Sequence, residues 1–500
     1  MHPQEVDEET PLIPTPNGVQ DGSPKAARTP LPWRQFSILL LLQLSEPLTS
    51  QVIAPFLPQL IRDIGITHGD DSSLGYYVGL VHSLFFMTEA CTIFHWSRAS
   101  DMIGRKPVLM TGLLGLAVSM YCFGLSKTFL GLLFSRCLSG ALNGNIGVMK
   151  SMIVEITDST NLALACGFTP LAWFVGTTIG PLIGGLLEHP AEKYPTVFGG
   201  ATFFKTYPYF LPCLMSAAFA VLCWFIAYFL LEEVSSPIVF LIGVGPIITP
   251  IDYHTANVCK RLHPWSQAQA SGTERGITNS NGERRQLPLR KLLVPNVLVA
   301  AGCYACLAFS DIASRTVLPV YFTVPIEMGG LGLGPSAIGT ILSLQGLTSG
   351  VCQTLFFACL HDRLGPKNLY FLGSSLYFPA IILFPLTAWA ARMRGLDYIV
   401  WALVGSQMIL FVIAGFAFSV TFVYISAAAP NRASIGATNG LAQMMASVMR
   451  ALGPASANSA FSLSIQRHVM GGYFVYWMMM VMASVSVGMG FLLPKKPWRV

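Results

Sequence analysis

Charged side chains are scarce in this 500-residue chain. Asp, Glu, Lys and Arg make up 11% of the residues, whereas about 25% is usual in soluble domains, and 53% of the chain is hydrophobic. The positive residues do not form a stripe interleaved with aromatic side chains, so nucleic acid is not an expected partner. These proportions favour a protein that is largely embedded in a lipid bilayer.

The patterns that mark common enzymes and metal proteins are also missing. Almost all of the eleven cysteines fall in apolar stretches, and we interpret them as small packing residues rather than a disulfide framework. The histidines are scattered, so no metal site is expected. The chain contains no G-x-x-x-x-G-K-[ST] phosphate-binding loop and no nucleophile elbow. We therefore expect neither an enzyme nor an ATP-driven pump, and no cofactor.

Long apolar runs recur along the chain instead. Each is long enough to cross the ~30 Å hydrocarbon core of a membrane as a helix, and a β-barrel would instead show short alternating segments. The pattern predicts an all-α membrane protein with twelve transmembrane helices in two bundles of six. The runs fall near 34–60, 75–95, 108–126, 128–150, 163–187, 207–231, 296–324, 335–360, 368–390, 397–424, 437–464 and 470–494.

Polar segments divide the chain and indicate its orientation. Lys and Arg concentrate in the loops of one side, which predicts that both termini and the central loop are cytoplasmic. The expected order is a disordered tail 1–33, a bundle 34–231, a central loop 232–295, a second bundle 296–494 and a tail 495–500. An apolar piece at 237–248 is too short to span, and we assign it no function. Glu8 followed by Leu12-Ile13 resembles an acidic dileucine sorting signal, with a random tail as the alternative.

One short polar segment, residues 96–107, lies between the second and third apolar runs and is predicted to be a loop. It contains Asp101, Gly104, Arg105 and Lys106, and a weaker echo stands at 361–367. Two such segments in one chain predict two related halves, as in many secondary transporters.

Glycines recur four residues apart in the fourth and fifth runs, where they would let neighbouring helices approach closely. In the fourth run they accompany Arg136, which at membrane depth should face a cavity or an acidic partner. In the fifth run a proline removes a backbone hydrogen bond and predicts a bend. That motif consists of Gly176, Gly180, Pro181, Gly184 and Gly185.

In this order, the motifs resemble the major facilitator superfamily, with Ser97 in place of the usual first glycine of segment 96–107. The resemblance covers the chain outside the tail and the central loop. It implies a carrier that alternates between inward- and outward-open states. In that carrier Asp101 latches the halves, Gly104 permits the turn, and Arg105 and Lys106 anchor it.

Further stretches resemble a narrower branch, the zinc-induced facilitator-like carriers and their fungal relatives, which are similar to bacterial tetracycline exporters. Ser45-Glu46-Pro47 is similar to the Glu-Pro pair of the fungal members. The others are Leu142-Asn143-Gly144 leading to Lys150, Pro430-Asn431-Arg432, residues 436–440 and residues 450–455.

Ionisable residues within the apolar runs are the candidates for proton coupling, since a carboxylate removed from water can load and release protons near neutral pH. Glu46 is the first choice, Asp311 the second, and Arg136 a further candidate. Arg315 and Arg450 are possible charge partners, because Asp311 and Arg315 stand four apart and share a helix face. The alternative is that Asp311–Arg315 is a permanent ion pair. Glu89, near the membrane interface, and His82 rank lower.

These inferences predict a multi-pass transporter of a plasma or vacuolar membrane that exports a small organic molecule in exchange for protons. Its partners would be the lipid bilayer, the substrate and protons. An uncoupled facilitator, a secondary-metabolite exporter and a transport-dead receptor remain alternatives, and the substrate is not specified by the sequence.

Overall fold

The computed structural model describes residues 29–157, 161–233, 293–430, 435–495 and 498. The dileucine-like Leu12-Ile13, the apolar piece 237–248 and Asn431-Arg432 lie outside the described residues, as does the side chain of Asp101.

Twelve helical spans follow one another in the described residues, six before residue 233 and six after residue 293. The first six are α1, Trp33–Val52 continued by Leu57–Ile64; α2, Leu74–Ile103; α3, Arg105–Leu125; α4, Phe129–Leu142 continued by Asn145–Ile156; α5, Leu162–Leu187; and α6, Phe210–Leu230. The last six are α7, Pro295–Thr323; α8, Pro335–Leu364; α9, Pro366–Ser375 continued by Tyr377–Arg394; α10, Tyr398–Ala414 continued by Phe416–Ala428; α11, Ile435–Arg467; and α12, Phe474–Phe491. Three short helices, Pro190–Lys193, Pro195–Phe198 and Thr202–Thr206, connect α5 to α6. The all-α fold predicted from the apolar runs is confirmed.

The spans differ in how apolar they are. Eight are each long and apolar enough to cross a membrane, and the two pieces of α1, bent by 49°, together make a ninth. Within the described residues, α2, α4 and α11 fall short of that measure: α4 is interrupted, and all three carry buried polar side chains. Because polar groups are costly against lipid, these are the spans in which a polar site is to be sought.

The segment 96–107 is mostly helical, which corrects the predicted loop. Helix α2 continues to Ile103 and α3 begins at Arg105, so that Gly104 alone separates them, with φ of 100°. Gly365 separates α8 from α9 in the same way, with φ of 77°. A residue with a Cβ is strained at such φ values, so glycine is required at both turns. A polar sequence is compatible with a helix end in water as well as with a loop, and one glycine is enough to reverse the chain.

The two turns are also equivalent in their contacts. Lys106 Nζ donates hydrogen bonds of 2.8 Å to the carbonyls of Tyr228 and Leu231 at the end of α6. Lys367 Nζ donates to the carbonyls of Phe491, at 3.1 Å, and Leu493, at 2.5 Å, at the end of α12. A cation at a helix C-terminus satisfies carbonyls that lack a helical partner. Each half therefore closes its third and sixth helices by the same lysine cap, as expected of a repeat.

The halves meet along α5 with α8 and along α2 with α11. Glycines permit the approach: a Cβ on Gly185 would lie 2.6 Å from the carbonyl oxygen of Pro335, and one on Gly346 2.6 Å from that of Thr177. These distances are too short for a real side chain, so larger residues would separate the halves.

Hydrogen bonds between the halves gather at the end of the bundle remote from Gly104 and Gly365. We call it the sealed end and define it by three pairs, and we call the opposite end the loop end. The pairs are Arg62 Nη2 to Thr323 O at 3.1 Å, Tyr76 OH to Gln466 Oε1 at 3.3 Å, and Lys193 Nζ to Ser336 Oγ at 2.5 Å.

Candidate functional site

Two carboxylates from neighbouring spans lie together inside the first half. Glu46 of α1 is 8% exposed and Glu89 of α2 is 4% exposed, and they are close enough to repel each other when both are charged. We call them the acid pair. Asn143 of α4 is fully buried beside them, and its Nδ2 donates a 3.2 Å hydrogen bond to Glu89 Oε1.

The local sequence of α1 positions Glu46. Pro47 follows it and has no N–H, so the helix loses one backbone hydrogen bond at this point. The hydroxyls of Ser45 and Thr49 donate hydrogen bonds to backbone carbonyls, at 2.7 Å to Leu42 O and 2.8 Å to Glu46 O. Gly176 of α5 packs on the proline ring, where an added Cβ would lie 2.7 Å from Pro47 Cβ. Helix α1 is thus held against α5 with Glu46 buried in the first half.

Asn143 reaches the acid pair because α4 is broken there. The first piece of α4 ends at Leu142 and the second begins at Asn145, with ψ of 63° at Asn143. The indole Nε1 of Trp96 donates a 2.7 Å hydrogen bond to Ala141 O. A Cβ on Gly144 would overlap the Trp96 side chain. Backbone groups freed at membrane depth need such a protein partner, and here α2 supplies it.

Two cations face the acid pair from a distance. Arg450 of α11 and Lys150 of α4 both act electrostatically on Glu46 and Glu89, but within the described part of the chain neither carboxylate forms an ion pair. Arg450 Nη2 instead donates to Tyr304 OH at 3.0 Å. Because Arg450 belongs to the second half, it links the charge of the acid pair to the partner bundle.

A third acidic residue, Asp311, is arranged differently. Asp311 accepts hydrogen bonds from Arg315 Nε with both of its oxygens, each at 2.8 Å, and the side chains are 25% and 36% exposed. Both line a cavity between the halves that encloses about 660 Å³, counting the part open to solvent. The other lining residues are aliphatic, aromatic or neutral polar: Gln51, Ala54, Trp173, Phe174, Thr177, Ser314, Leu318, Leu342, Gln345, Gly346, Ser349 and Phe411. The cavity suits a small amphipathic molecule.

Arg136 has aromatic neighbours rather than the acidic partner or cavity expected. It is 3% exposed, and its guanidinium carbon lies 5.7 Å from the ring centre of Phe85 and 5.2 Å from that of Phe123. Its Nε has no hydrogen-bond partner among the described residues. Aromatic faces stabilise a desolvated guanidinium, which is the physical reason that a carboxylate is not required.

The basic residues of segment 96–107 meet acidic residues that the sequence did not single out. Arg105 donates to Glu155 Oε1 through Nε, at 3.2 Å, and Nη2, at 2.9 Å. The backbone N–H groups of Arg105 and Lys106 each donate a 2.9 Å bond to the carboxylate of Glu233, beyond α6. Glu233 thereby satisfies free donors at the N-terminus of α3. Carboxylates placed directly after apolar runs on the cation-rich side were the signal that could have found them.

The glycine motif of α5 is a contact face in this structure. Gly176, Gly180 and Gly184 face α1, and Gly185 faces α8. The helix is continuous from Leu162 to Leu187 and includes Pro181. Small residues therefore let α5 pack closely against one helix of each half.

Residues 39–454 match the model of the Major Facilitator Superfamily. The chain belongs to this superfamily. It is 29% identical over 489 residues to the efflux pump azaK of Aspergillus niger, covering 96% of this chain and 93% of the relative. It is 26% identical over 473 residues to the protein Zinc Induced Facilitator 1 of Arabidopsis thaliana, covering 93% of each. These relatives confirm the resemblance to the zinc-induced facilitator-like branch.

The fold agrees with that of a solved member. The crystal structure of a D-xylose–proton symporter superposes with a TM-score of 0.65 over 94% of this chain and 99% of that chain, at 15% identity. A superfamily protein with this fold is an integral membrane transporter of small molecules and not an enzyme.

The structure brings together some of the residues chosen from the sequence and separates others. Glu46 lies with Glu89, which ranked lower, whereas Asp311 and Arg315 lie in the inter-half cavity and Arg136 among aromatic rings. Asn143 entered the sequence analysis only through the resemblance. The signal for Glu89 was that two acidic residues stood in apolar runs of one half without a cation four residues away.

Proposed function

We propose that this superfamily member exports a small organic molecule in exchange for protons, with Glu46 and Glu89 as the proton-exchanging residues. The observation that supports the proposal is the burial of two neighbouring carboxylates that form no ion pair with any described residue. A charged carboxylate loses much more than a protonated one on leaving water, and a second charge nearby adds repulsion. Such a pair is suited to hold a proton and to release it when a cation or water approaches.

Alternating access is the other component of the proposed mechanism. The helices belong to the bundles 34–231 and 296–494, which we propose are joined by a cytoplasmic loop 232–295. The sealed end is closed by hydrogen bonds between the halves, and we assign the loop end to the cytoplasm because Lys and Arg concentrate there. This arrangement is the one that receives substrate from the cytoplasm. Both termini are cytoplasmic in this proposal.

The other motif residues take parts in the same cycle. We assign Asp101, Gly104, Arg105 and Lys106 to the cytoplasmic gate, since Gly104 and the ion pair of Arg105 with Glu155 fix the ends of α2 and α3. The α5 motif, with Gly180 and Pro181 at its centre, holds α5 against α1 and lets Gly185 contact α8 while the halves rock. Asp311 with Arg315 contacts the substrate, and Arg450 balances the charge of the acid pair. Arg136 contributes to proton coupling through its positive charge.

Export is supported by the relative that is named an efflux pump. The membrane is the plasma membrane or a vacuolar membrane of a fungal-type cell, and a secondary metabolite is a suitable cargo for the cavity. An uncoupled facilitator is the second candidate, favoured by Lys150 and Arg450, whose positive charges favour a permanently charged acid pair.

Proton movement in proteoliposomes tests the proposal. Purified protein is given a panel of organic anions, amines and drugs under imposed proton gradients of either sign. Substrate-dependent proton flux is expected in the wild type and not in Glu46→Gln. Glu232→Gln is the matched control, since that carboxylate is 68% exposed at the loop end. Substrate flux that ignores the gradient and persists in Glu46→Gln would establish the facilitator instead.

A further inference from the structure

The break in α4 connects the acid pair to the loop end of α2. Trp96 is the first residue of segment 96–107 and lies in α2, seven residues before that helix ends at Ile103. Its indole N–H bonds Ala141 O at 2.7 Å, and its ring occupies the space beside Gly144. Both contacts fall on the residues that flank Asn143. The Trp96 side chain therefore contacts α4 both before and after Asn143.

The conformation of the break decides where the Asn143 amide lies. In an uninterrupted helix, Ala141 O would accept from the N–H of Asn145, four residues on. With the indole as its partner, the carbonyl is satisfied without that bond, and Asn143 stays outside helical geometry with its amide beside the acid pair. Asn143 Oδ1 and both amide atoms of Asn145 are buried without partners among the described residues. These amides therefore add little to the break, which is held by the indole bond and by two backbone bonds, Asn143 N to Gly140 O at 3.2 Å and Gly144 N to Leu142 O at 3.0 Å.

We propose that Trp96 and Asn143 are positioning residues: Trp96 holds α4 open, and Asn143 is thereby held against Glu89, where its N–H favours the charged carboxylate. The inference rests on the proposed proton exchange at the acid pair. Movement of the loop end of α2 during alternation then reaches the acid pair through one hydrogen bond. Opening and closing at the cytoplasmic end would change the proton affinity of the acid pair in each cycle.

The pH dependence of substrate-driven proton flux tests the inference. Trp96→Phe keeps a ring against Gly144 but removes the donor, and Asn143→Ala removes the amide. Each is expected to move the pH midpoint of flux to higher pH by about one unit, a tenfold change in proton affinity, since a hydrogen bond to the charged form is lost. The double variant is expected to shift no further, because Trp96 acts on the acid pair only through Asn143. Trp401→Phe, a change at an exposed α10 position, is the matched control.

A uniform fall in rate with an unmoved midpoint in both variants would overturn the inference, as would fully additive shifts. Infrared spectra of the purified protein give a readout that needs no transport. The carboxylic C=O band that Glu89→Gln removes should titrate at higher pH in Trp96→Phe, and an unchanged titration would also contradict the inference. If Glu46→Gln and Glu89→Gln leave proton flux intact, the proposed function fails, whereas the infrared result still decides the positioning role.

Discussion

Among the described residues, the acid pair and the Asp311–Arg315 pair both place carboxylates inside the bundle, and they differ in their partners. Asp311 has a guanidinium nitrogen at 2.8 Å from both oxygens and is 25% exposed. Glu46 and Glu89 are 8% and 4% exposed, with an amide donor and, among the described residues, cations that act on them without forming an ion pair. Protonation of Asp311 would forfeit a charge-assisted bond, whereas protonation of the acid pair relieves repulsion and desolvation. We therefore take the lack of an ion pair among the described residues, more than membrane depth, as the mark of a candidate for proton exchange.

Glu89→Gln is expected to have the largest effect. It tests most directly whether the acid pair differs from the Asp311–Arg315 pair in exchanging protons. A glutamine keeps the size and the contact with Asn143 but cannot exchange a proton, so coupled flux should fall more than about tenfold, within the range of general acid–base effects. Proton and substrate flux are measured together in proteoliposomes, with Glu46→Gln for comparison. Full coupling in both variants would remove the acid pair from the mechanism.

Asp311→Asn is expected to affect stability and substrate recognition rather than coupling. It leaves Arg315 as an uncompensated charge, which should cost about 1–2 kcal/mol because the pair is partly exposed. Thermal unfolding in detergent measures the loss, and Asp311→Asn with Arg315→Gln should recover part of it. The ratio of protons to substrate should stay at the wild-type value. A change in that ratio would show that Asp311 also carries protons.

Arg450→Gln removes one of the two cations that act on the acid pair and so tests how far their charge controls its protonation. Arg450 favours the charged form of both glutamates across the gap between the halves. Without it, the acid pair should retain its proton more firmly, and the pH midpoint of flux should rise by up to about one unit. Arg450→Lys keeps the charge and should shift the midpoint less, although it cannot reproduce the guanidinium bond to Tyr304. Equal shifts in both variants would assign the effect to geometry rather than charge.

Much of the fold could be predicted because the length and spacing of apolar runs are set by the bilayer. The breaks were missed for the same reason, since an apolar run reads as continuous across Asn143 and Gly144 even though α4 is interrupted there. Glycine at the turns was recognised, but the extent of α2 through Ile103 was not, because helix ends in water are polar like loops.

The candidate site was only partly predictable. Asp311 and Arg315 stand four apart on one helix, and a local rule places them together. Glu46 and Glu89 are 43 positions apart and come within electrostatic reach of each other only through the packing of α4 against α1 and α2, for which sequence spacing carries no information. Partners of Arg105 at Glu155 and Glu233 are equally remote in sequence.

The sealed end offers a third kind of carboxylate. Burial alone would raise the pKa of Glu188, but its hydrogen bonds with His189 and Lys193 outweigh burial and hold the pKa below its usual value. Lys193 Nζ lies 2.5 Å from Glu188 Oε1 and also bonds Gly185 O and, across the halves, Ser336. Glu188 therefore orients the lysine that closes this end.

His189 makes that arrangement sensitive to pH. Its hydrogen bond to Glu188 raises its pKa against the effect of burial, with further contributions from the charges of Glu188, Asp63 and Glu192. Asp63 lies 3.6 Å from His189 Nε2 and accepts a hydrogen bond from Tyr209, whose ring packs edge-on against the imidazole. These groups, with Lys193, are the titratable groups that face His189.

Low pH on the side of the sealed end should strengthen the contacts that close it. This is the smallest of the expected effects. A raised pKa means that protonated His189 contributes fully below the ordinary histidine value of about 6.5 and that the contribution is lost as pH rises through the raised value. The depressed pKa of Glu188 keeps that carboxylate charged over the same range. Spin-label distances between exposed Val197 and Met328, one from each half, in a cysteine-free background, should lengthen over that window in the wild type and not in His189→Gln. A pH-independent distance distribution in both proteins would leave the seal to the three hydrogen-bonded pairs that define the sealed end, with no part for His189.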